Sequence, residues 1–292
     1  MRITHQMAAQ HFMQNIQRNN TAMEKLQGQI SSGKKFEKIS DQPSATLQGL
    51  TYRTSLSQVE QYQKNAQDGI DWSTAMDGAL GNVTDVMHRV RELTVEASSD
   101  TINENDRKNI AVEIRSLMQQ VGNIANTAYG SGYLFSGTDL NTPPYQNGVL
   151  QQTNQIGKEW TIGQGISVNG KVHASAVFGF SVDGKNLFET LEGLAQTLEK
   201  GENPGSLLNS IDSQTDNLIT QRTVVGTNQN LLELAANKLD QAQFLTKKML
   251  SDTEDTNIAE AFTELTLQET ALKAALSAGG RTMQLILTDF LR

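Results

Sequence analysis

A chain of 292 residues with a net charge of -8, 5% aromatic residues and a mean hydropathy of -0.43 can bury a core yet is polar throughout. The acidic balance argues against a nucleic-acid binder, which needs a basic face to neutralise phosphates. The absence of cysteine excludes disulfides, thiolate metal sites and a cysteine nucleophile, and it leaves the compartment open.

The charge is spread unevenly. Residues 1–40 carry six Lys/Arg against two Glu, a balance of +4, and residues 253–292 carry three against six acids, -3. Ends of opposite sign fit two terminal helices that pack together, although exposed charges are screened. No run of apolar residues is long enough to span a bilayer. Met1 to Gln6 lacks the apolar stretch of a cleavable signal peptide, so export, if it occurs, is expected to follow another route. Four prolines in the whole chain favour long helices.

The first predicted helix carries Ala9, Phe12, Ile16, Met23, Leu26 and Ile30 on an alternating four-three series, with polar Asn19 at one seam position. Ser31-Ser32-Gly33 ends it, and Lys34 and Lys35 follow, where they would favour the negative helix terminus. Ser40-Asp41-Gln42-Pro43 reads as the next start, with Asp41 a cap and Pro43 in the first turn. From Val59 a seam runs through Tyr62, Ala66, Met76, Leu80, Val83, Met87, Val90 and Ala97, with Gly69, Ser73 and Thr94 as softer members. That predicts one helix of about fifty residues.

Ser98 to Asp100 breaks the run, and Thr101 with Glu104 offers a capping pair for a third helix. It carries Ile110, Ile114, Leu117, Val121, Ile124 and Ala128, and is expected to end at Gly130-Ser131-Gly132.

Between Gly137 and Asn186 the pattern changes. Pro143-Pro144, Asn147-Gly148, Asn169-Gly170 and Asp183-Gly184 are turn signals, and the Asn-Gly pairs suit tight hairpins. Trp160–Ile162 and Ala176–Phe180 read as strands. A β insertion of this size is expected to be too small for a deep pocket. Leu187–Leu198 reads as a short amphipathic helix, closed by Lys200-Gly201 and Pro204. A long helix with Leu208, Ile211, Leu218, Val225, Leu232, Ala236 and Leu239 on its seam follows, with a break expected between Ser251 and Asp255.

The last stretch places Ile258, Phe262, Leu265, Leu272, Leu276, Met283, Ile286 and Phe290 on one four-three series, broken only by Glu269 and Gly279. That spacing belongs to helices that supercoil around a partner, although an ordinary core helix carries the same pattern. Asn257 and Glu260 form a candidate capping pair. Ala261, Leu267, Ala271, Ala274 and Ala278 form a second stripe, mostly of small residues that admit close neighbours.

The motifs of catalysis are missing. Gly28 and Gly33-Lys34 have the spacing of a phosphate loop, but Lys35 stands where magnesium needs a hydroxyl, and the loop interrupts helix. Gly163-Gln164-Gly165 lacks a third glycine. His5, His11, His88 and His173 are scattered without carboxylates at metal-site spacing. Glu254-Asp255 reads as the first turn of a helix rather than as a metal site. No nucleophile elbow appears, so no enzyme, cofactor or metal site is expected.

The expected fold is mainly α: a long antiparallel coiled-coil-like bundle with paired terminal helices and a small β-rich insertion. Three parts are expected: a terminal coiled coil from 1–42 and 252–292, a helical bundle from 43–138 and 187–251, and the insertion at 139–186.

These residues resemble a known family. Met1-Arg2-Ile3-Thr4 with Met7, Gln29 to Lys35, Ser40 to Pro43, Ala125-Asn126-Thr127 and Gly132 to Gly137 all match it, as do Glu264-Leu265-Thr266, Thr270-Ala271-Leu272, Met283-Gln284-Leu285 and Phe290-Leu291. The pattern is similar to the bacterial flagellins and, more closely, to the hook-associated proteins of the hook–filament junction. One departure is Gln42, where the family often has a second Asp.

The resemblance implies a non-enzymatic structural protein of the flagellum, exported through the type III apparatus to the cell exterior and polymerised at the distal end of the hook. It also implies partners: copies of itself in a ring, the hook-side junction protein, filament subunits and a cytoplasmic export chaperone, with neither nucleic acid nor membrane. The assembly and chaperone interface would then consist of Phe12, Ile16, Met23, Leu26, Ile30, Ile258, Phe262, Leu265, Leu272, Leu276, Met283, Ile286 and Phe290. Filament flagellin is the nearest alternative; a coiled-coil adaptor or surface adhesin is the alternative from another class.

Overall fold

The computed structural model describes residues 2–36, 38–99, 101–137, 142–146, 148–151, 157–170 and 172–290, and the side chains of 2–6, 8 and 281–290 lie outside that description. The elements are α1 (Arg2–Ser32), α2 (Pro43–Ala97), α3 (Glu104–Ala125), β1 (Ala128–Tyr129), β2 (Gly132–Tyr133), β3 (Tyr145–Gln146), β4 (Val149–Leu150), β5 (Lys158–Gly163) and β6 (Ile166–Gly170). They continue with α4 (Ala174–Val177), α5 (Leu187–Glu199), a 3-10 turn (Pro204–Leu207), α6 (Leu208–Glu254) and α7 (Ile258–Phe290). Two compact units result: 59–241, and the two chain ends, 1–58 with 242–292.

The central unit is built on seam residues. Along α2, Ala66, Ser73, Met76, Leu80, Val83, Met87, Val90, Thr94 and Ala97 are all fully buried, the four-three series kept without a slip. Ile211, Leu218, Val225 and Leu232 of α6, each seven residues after the last, are equally buried. Strict sevens keep a seam on one side of helices that coil around each other. Ile110 and Ile114 of α3 and Leu187, Leu191, Leu194 and Leu198 of α5 close the core. Asn186 and Glu189 cap α5 reciprocally, each side chain accepting the other residue's amide.

Several local expectations are corrected. The cap of α3 is Asn103, whose Oδ1 accepts the Asp106 amide at 2.8 Å, while Glu104 pairs with Lys108 and Thr101 with the Ser99 hydroxyl. Asp41 does not cap α2; its carboxylate accepts the Lys38 amide and closes the turn before it. Helix α3 stops at Ala125, and Gly130 at φ 61 turns Ala128–Tyr129 back onto Gly132–Tyr133 as a hairpin. Ala176–Phe180 is not a strand: Ala174–Val177 is a helical turn whose cap is the His173 ring, with Nδ1 accepting the Ala176 amide.

Three antiparallel pairs, β1–β2, β3–β4 and β5–β6, make up the β structure of the described residues. Of the expected turn Asn147-Gly148, Asn147 lies outside the described residues, while Gly148 has φ 84. Asp183 and Gly184, both at positive φ, turn Val182 onto Lys185 as the sequence suggests. Asn169-Gly170 instead lies inside β6, paired with Glu159 and Lys158. Its glycine is needed for another reason: a Cβ there would sit 2.9 Å from the Trp160 ring and 3.0 Å from Trp72. Those rings pack against each other at a tilt of 53°, with centroids 5.1 Å apart.

Beside them the β1–β2 hairpin, α2 and the insertion line a groove of about 350 Å³, most of whose lining comes from α2 and residues 129–137 rather than from the insertion. Asp68 at its edge accepts both Lys158 Nζ at 2.7 Å and Trp160 Nε1 at 2.8 Å on one oxygen. Burial pushes the Asp68 carboxyl up, but these bonds and the Lys158 charge together hold it below its ordinary value. Burial and the Asp68 and Asp71 charges push the Tyr129 phenol up.

Candidate assembly interface

Helices α1 and α7 pack antiparallel, Leu26 against Ala261 and Leu265, and Phe12 against Gly279. On α1 the predicted seam faces inward: Leu26 is buried, and Phe12, Ile16, Met23 and Ile30 are half-buried. On α7 the inward face is turned from the predicted one. Leu265, Leu272 and Gly279 remain on it, but their companions are Ala261, Gln268 and Ala275 rather than Phe262 and Leu276. Ile258, Phe262 and Leu276 are exposed by 55, 58 and 51%. Met283, Ile286 and Phe290 lie where side chains are outside the description.

The cause is that a contact with one neighbouring helix buries a narrow stripe, and small residues let it close. Ala261 admits Leu26, and Gly279 admits Phe12. Gly279, which reads in the sequence as a break in the series, is thus a contact position: a Cβ there would lie 2.6 and 2.7 Å from two ring carbons of Phe12. Of the small-residue stripe only Ala261 packs inward; Leu267, Ala271, Ala274 and Ala278 are exposed.

The root of this pair is pinned by backbone and charge. Lys34 bridges Asp255 in antiparallel fashion, with the Lys35 amide donating to Glu254 O at 2.7 Å and the Thr256 amide to Gly33 O at 2.8 Å. Gly33 supplies the left-handed turn, φ 71, that ends α1. Glu254 is not in a first turn but is the last residue of α6, 7% exposed, where a helix terminus disfavours negative charge. Arg53 and Lys34 offset this by donating to its Oε2. Gly49 leaves the room, since a Cβ there would come within 3.3 Å of the carboxyl carbon. Lys35, expected to act on the end of α1, instead donates to the Asp252 carbonyl of α6. Asn257 caps α7 through a long 3.5 Å bond from the Glu260 amide.

A second exposed apolar surface escaped the sequence reading. Phe244 is 74% exposed, with Leu245 and Met249 near it on α6, and Leu47 and Leu50 are exposed on α2. The available signal was that these large side chains fall outside the seven-residue series. Isolated exposed apolar residues are ordinary, whereas runs of them mark contact surfaces. Among the described residues no cluster of metal-ligating side chains occurs, and no helix is long and apolar enough to cross a membrane.

The comparisons with known proteins agree with this architecture. Residues 3–139 match the bacterial flagellin N-terminal helical region. A flagellar filament 31.3 kDa core protein of Treponema maltophilum is 27% identical, with 99% of each chain covered. Flagellar hook-associated protein 3 of Escherichia coli is 27% identical over 95% of this chain and 96% of its own. A Vibrio parahaemolyticus structure described as a flagellar hook-associated protein superimposes with a TM-score of 0.68 at 20% identity, covering 74% of this chain and all of that one. Long seam-bearing helices, paired ends and a small β insertion make the chain similar, along nearly its whole length, to flagellar filament and hook-associated proteins, and its residues 3–139 match the flagellin N-terminal helical region.

Proposed function

We propose that this chain is a structural subunit of the bacterial flagellum that joins hook to filament by polymerising at the distal end of the hook. The observation that carries the reading is the α1–α7 pair, which leaves Ile258, Phe262 and Leu276 outward on a helix that packs chiefly against α1. Apolar side chains spaced along one helix face suit a groove formed by other helices. In this reading the α1–α7 pair makes the inner contacts of the polymer. The same α7 face meets an export chaperone first and neighbouring subunits later, outside the cell. Whole-length similarity to a hook-associated protein and the fold likeness support it.

The test is Phe262→Ala with Leu276→Ala. Both side chains are exposed in the single chain, so thermal unfolding should be unchanged while chaperone binding weakens by about tenfold and filaments detach from hooks. Retained attachment and chaperone affinity would refute the assignment of this face.

A second reading, a filament subunit, is favoured by the 27% identity to a filament core protein over 99% of the chain. Immunogold labelling separates the two: label confined to the hook–filament boundary supports a junction subunit, and label along the filament supports a flagellin.

A further inference from the structure

The groove beside α2 holds chemistry that an axial scaffold does not need. Trp72, Tyr129 and Tyr133 line it with aromatic surface, and Asp68, Ser131 and Lys158 add polar groups. Trp160 packs against Trp72 and is itself held by donating to Asp68. Both bonds to Asp68 converge on Oδ2, so Oδ1 has no partner among the described residues, nor do the hydroxyls of Tyr129, Tyr133 and Ser131.

These features restrict the ligand. The Asp68–Lys158 pair is internally neutral, so an anion would meet Asp68 and a cation would meet Lys158 at similar range. A purely apolar ligand would strip water from Oδ1, the ammonium and three hydroxyls without replacing its bonds. A pyranose answers both conditions: its C–H face lies on aromatic rings, and its equatorial hydroxyls exchange hydrogen bonds with acceptors and donors at the edge. The volume is at the small end of the range for small-molecule sites. We propose that this groove binds an uncharged sugar unit, with Tyr129 and Tyr133 as stacking surfaces over a floor made by the buried Trp72, and Asp68 and Lys158 as the polar contacts.

The chain has two tryptophans and both belong to this cluster, so intrinsic fluorescence reports on it alone. The experiment titrates the full chain with methyl glucoside, methyl galactoside and methyl N-acetylglucosaminide, alongside saturation-transfer NMR from protein aromatic protons to the sugar ring protons. Saturable binding of at least one glycoside in the millimolar range is expected, weakened by about tenfold in Tyr133→Phe and in Asp68→Asn. Thermal unfolding of Tyr133→Phe should match that of the parent. Absence of saturation transfer from all three glycosides would overturn the proposal, as would binding that survives both substitutions. Tighter binding of tetramethylammonium than of any glycoside would also overturn it and make the groove a cation cage. If Asp68→Asn fails to fold, Tyr133→Phe and the transfer map of the parent chain decide.

Discussion

Gly279→Ala tests the contact on which the terminal pair closes. Alanine at an exposed helix position normally stabilises by about 1 kcal/mol relative to glycine. Here the new methyl would sit 2.6 to 2.7 Å from two carbons of the Phe12 ring, well inside ordinary contact. The ring is half-buried, so it can retreat, and overpacking of this kind costs roughly 1–3 kcal/mol. The net expectation is a loss of about 0–2 kcal/mol in the parent chain. In a Phe12→Ala background the obstacle is gone, and the same substitution should stabilise by about 1 kcal/mol. The difference, about 1–3 kcal/mol, is the coupling energy of a double-mutant cycle. Amide exchange of α7 between Ala261 and Gly279 measures the opening free energy of this pair without requiring it to share the main unfolding transition. Stabilisation by the same amount in both backgrounds would mean that Phe12 does not lie on Gly279.

Three further outcomes are expected. Leu218→Ala, fully buried in the central seam, should destabilise the 59–241 unit by about 2–5 kcal/mol, read as a lower thermal midpoint with export intact. Glu254→Gln should speed amide exchange at Lys35 and Thr256 by removing the negative charge that pairs with Arg53 and Lys34; because both cations are nearly half exposed, the loss should stay near 1 kcal/mol. Asp68 has a folded pKa below its unfolded value, so its contribution is present above the unfolded value and is lost as pH falls through the folded one. The Trp160 indole N–H resonance should therefore shift only in acid, below the ordinary carboxylate range, and not in Asp68→Asn.

How much could be read in advance depended on how many neighbours each element has. The seam of α2 was legible from Ala66 to Ala97 because the core that takes it leaves no freedom of rotation. The seam of α7 was legible only at Leu265 and Leu272, since Gly279 of the same heptad position reads as a break. With α1 as its chief partner, whether Ala261 or Phe262 turns inward is settled by how closely the helices approach, which depends on Leu26 and Phe12 more than two hundred residues away. Non-local partners explain the other misses too. Gly170 looks like a turn residue until two tryptophan rings are placed against it, and Glu254 looks like a helix start until Arg53 and Lys34 arrive beside it. His173 resembled a spare polar residue because helix-capping imidazoles leave little mark in sequence.

The bridge between Lys34 and Asp255 has a consequence for the order of folding. It joins residues about 220 positions apart, as does the neighbouring Lys34–Glu254 ion pair. Closing so long a loop from an open chain costs roughly 5 kcal/mol in configurational entropy, more than the local hydrogen bonds at this root return. Seam contacts within 59–241, once made, shorten the effective loop and remove most of that penalty. The terminal pair is therefore kinetically dependent on the rest: last to close in a refolding chain, and first to open when the chain is pulled or heated. A subunit drawn through a narrow conduit would give up its ends at low force before the long seams of α2 and α6 resisted.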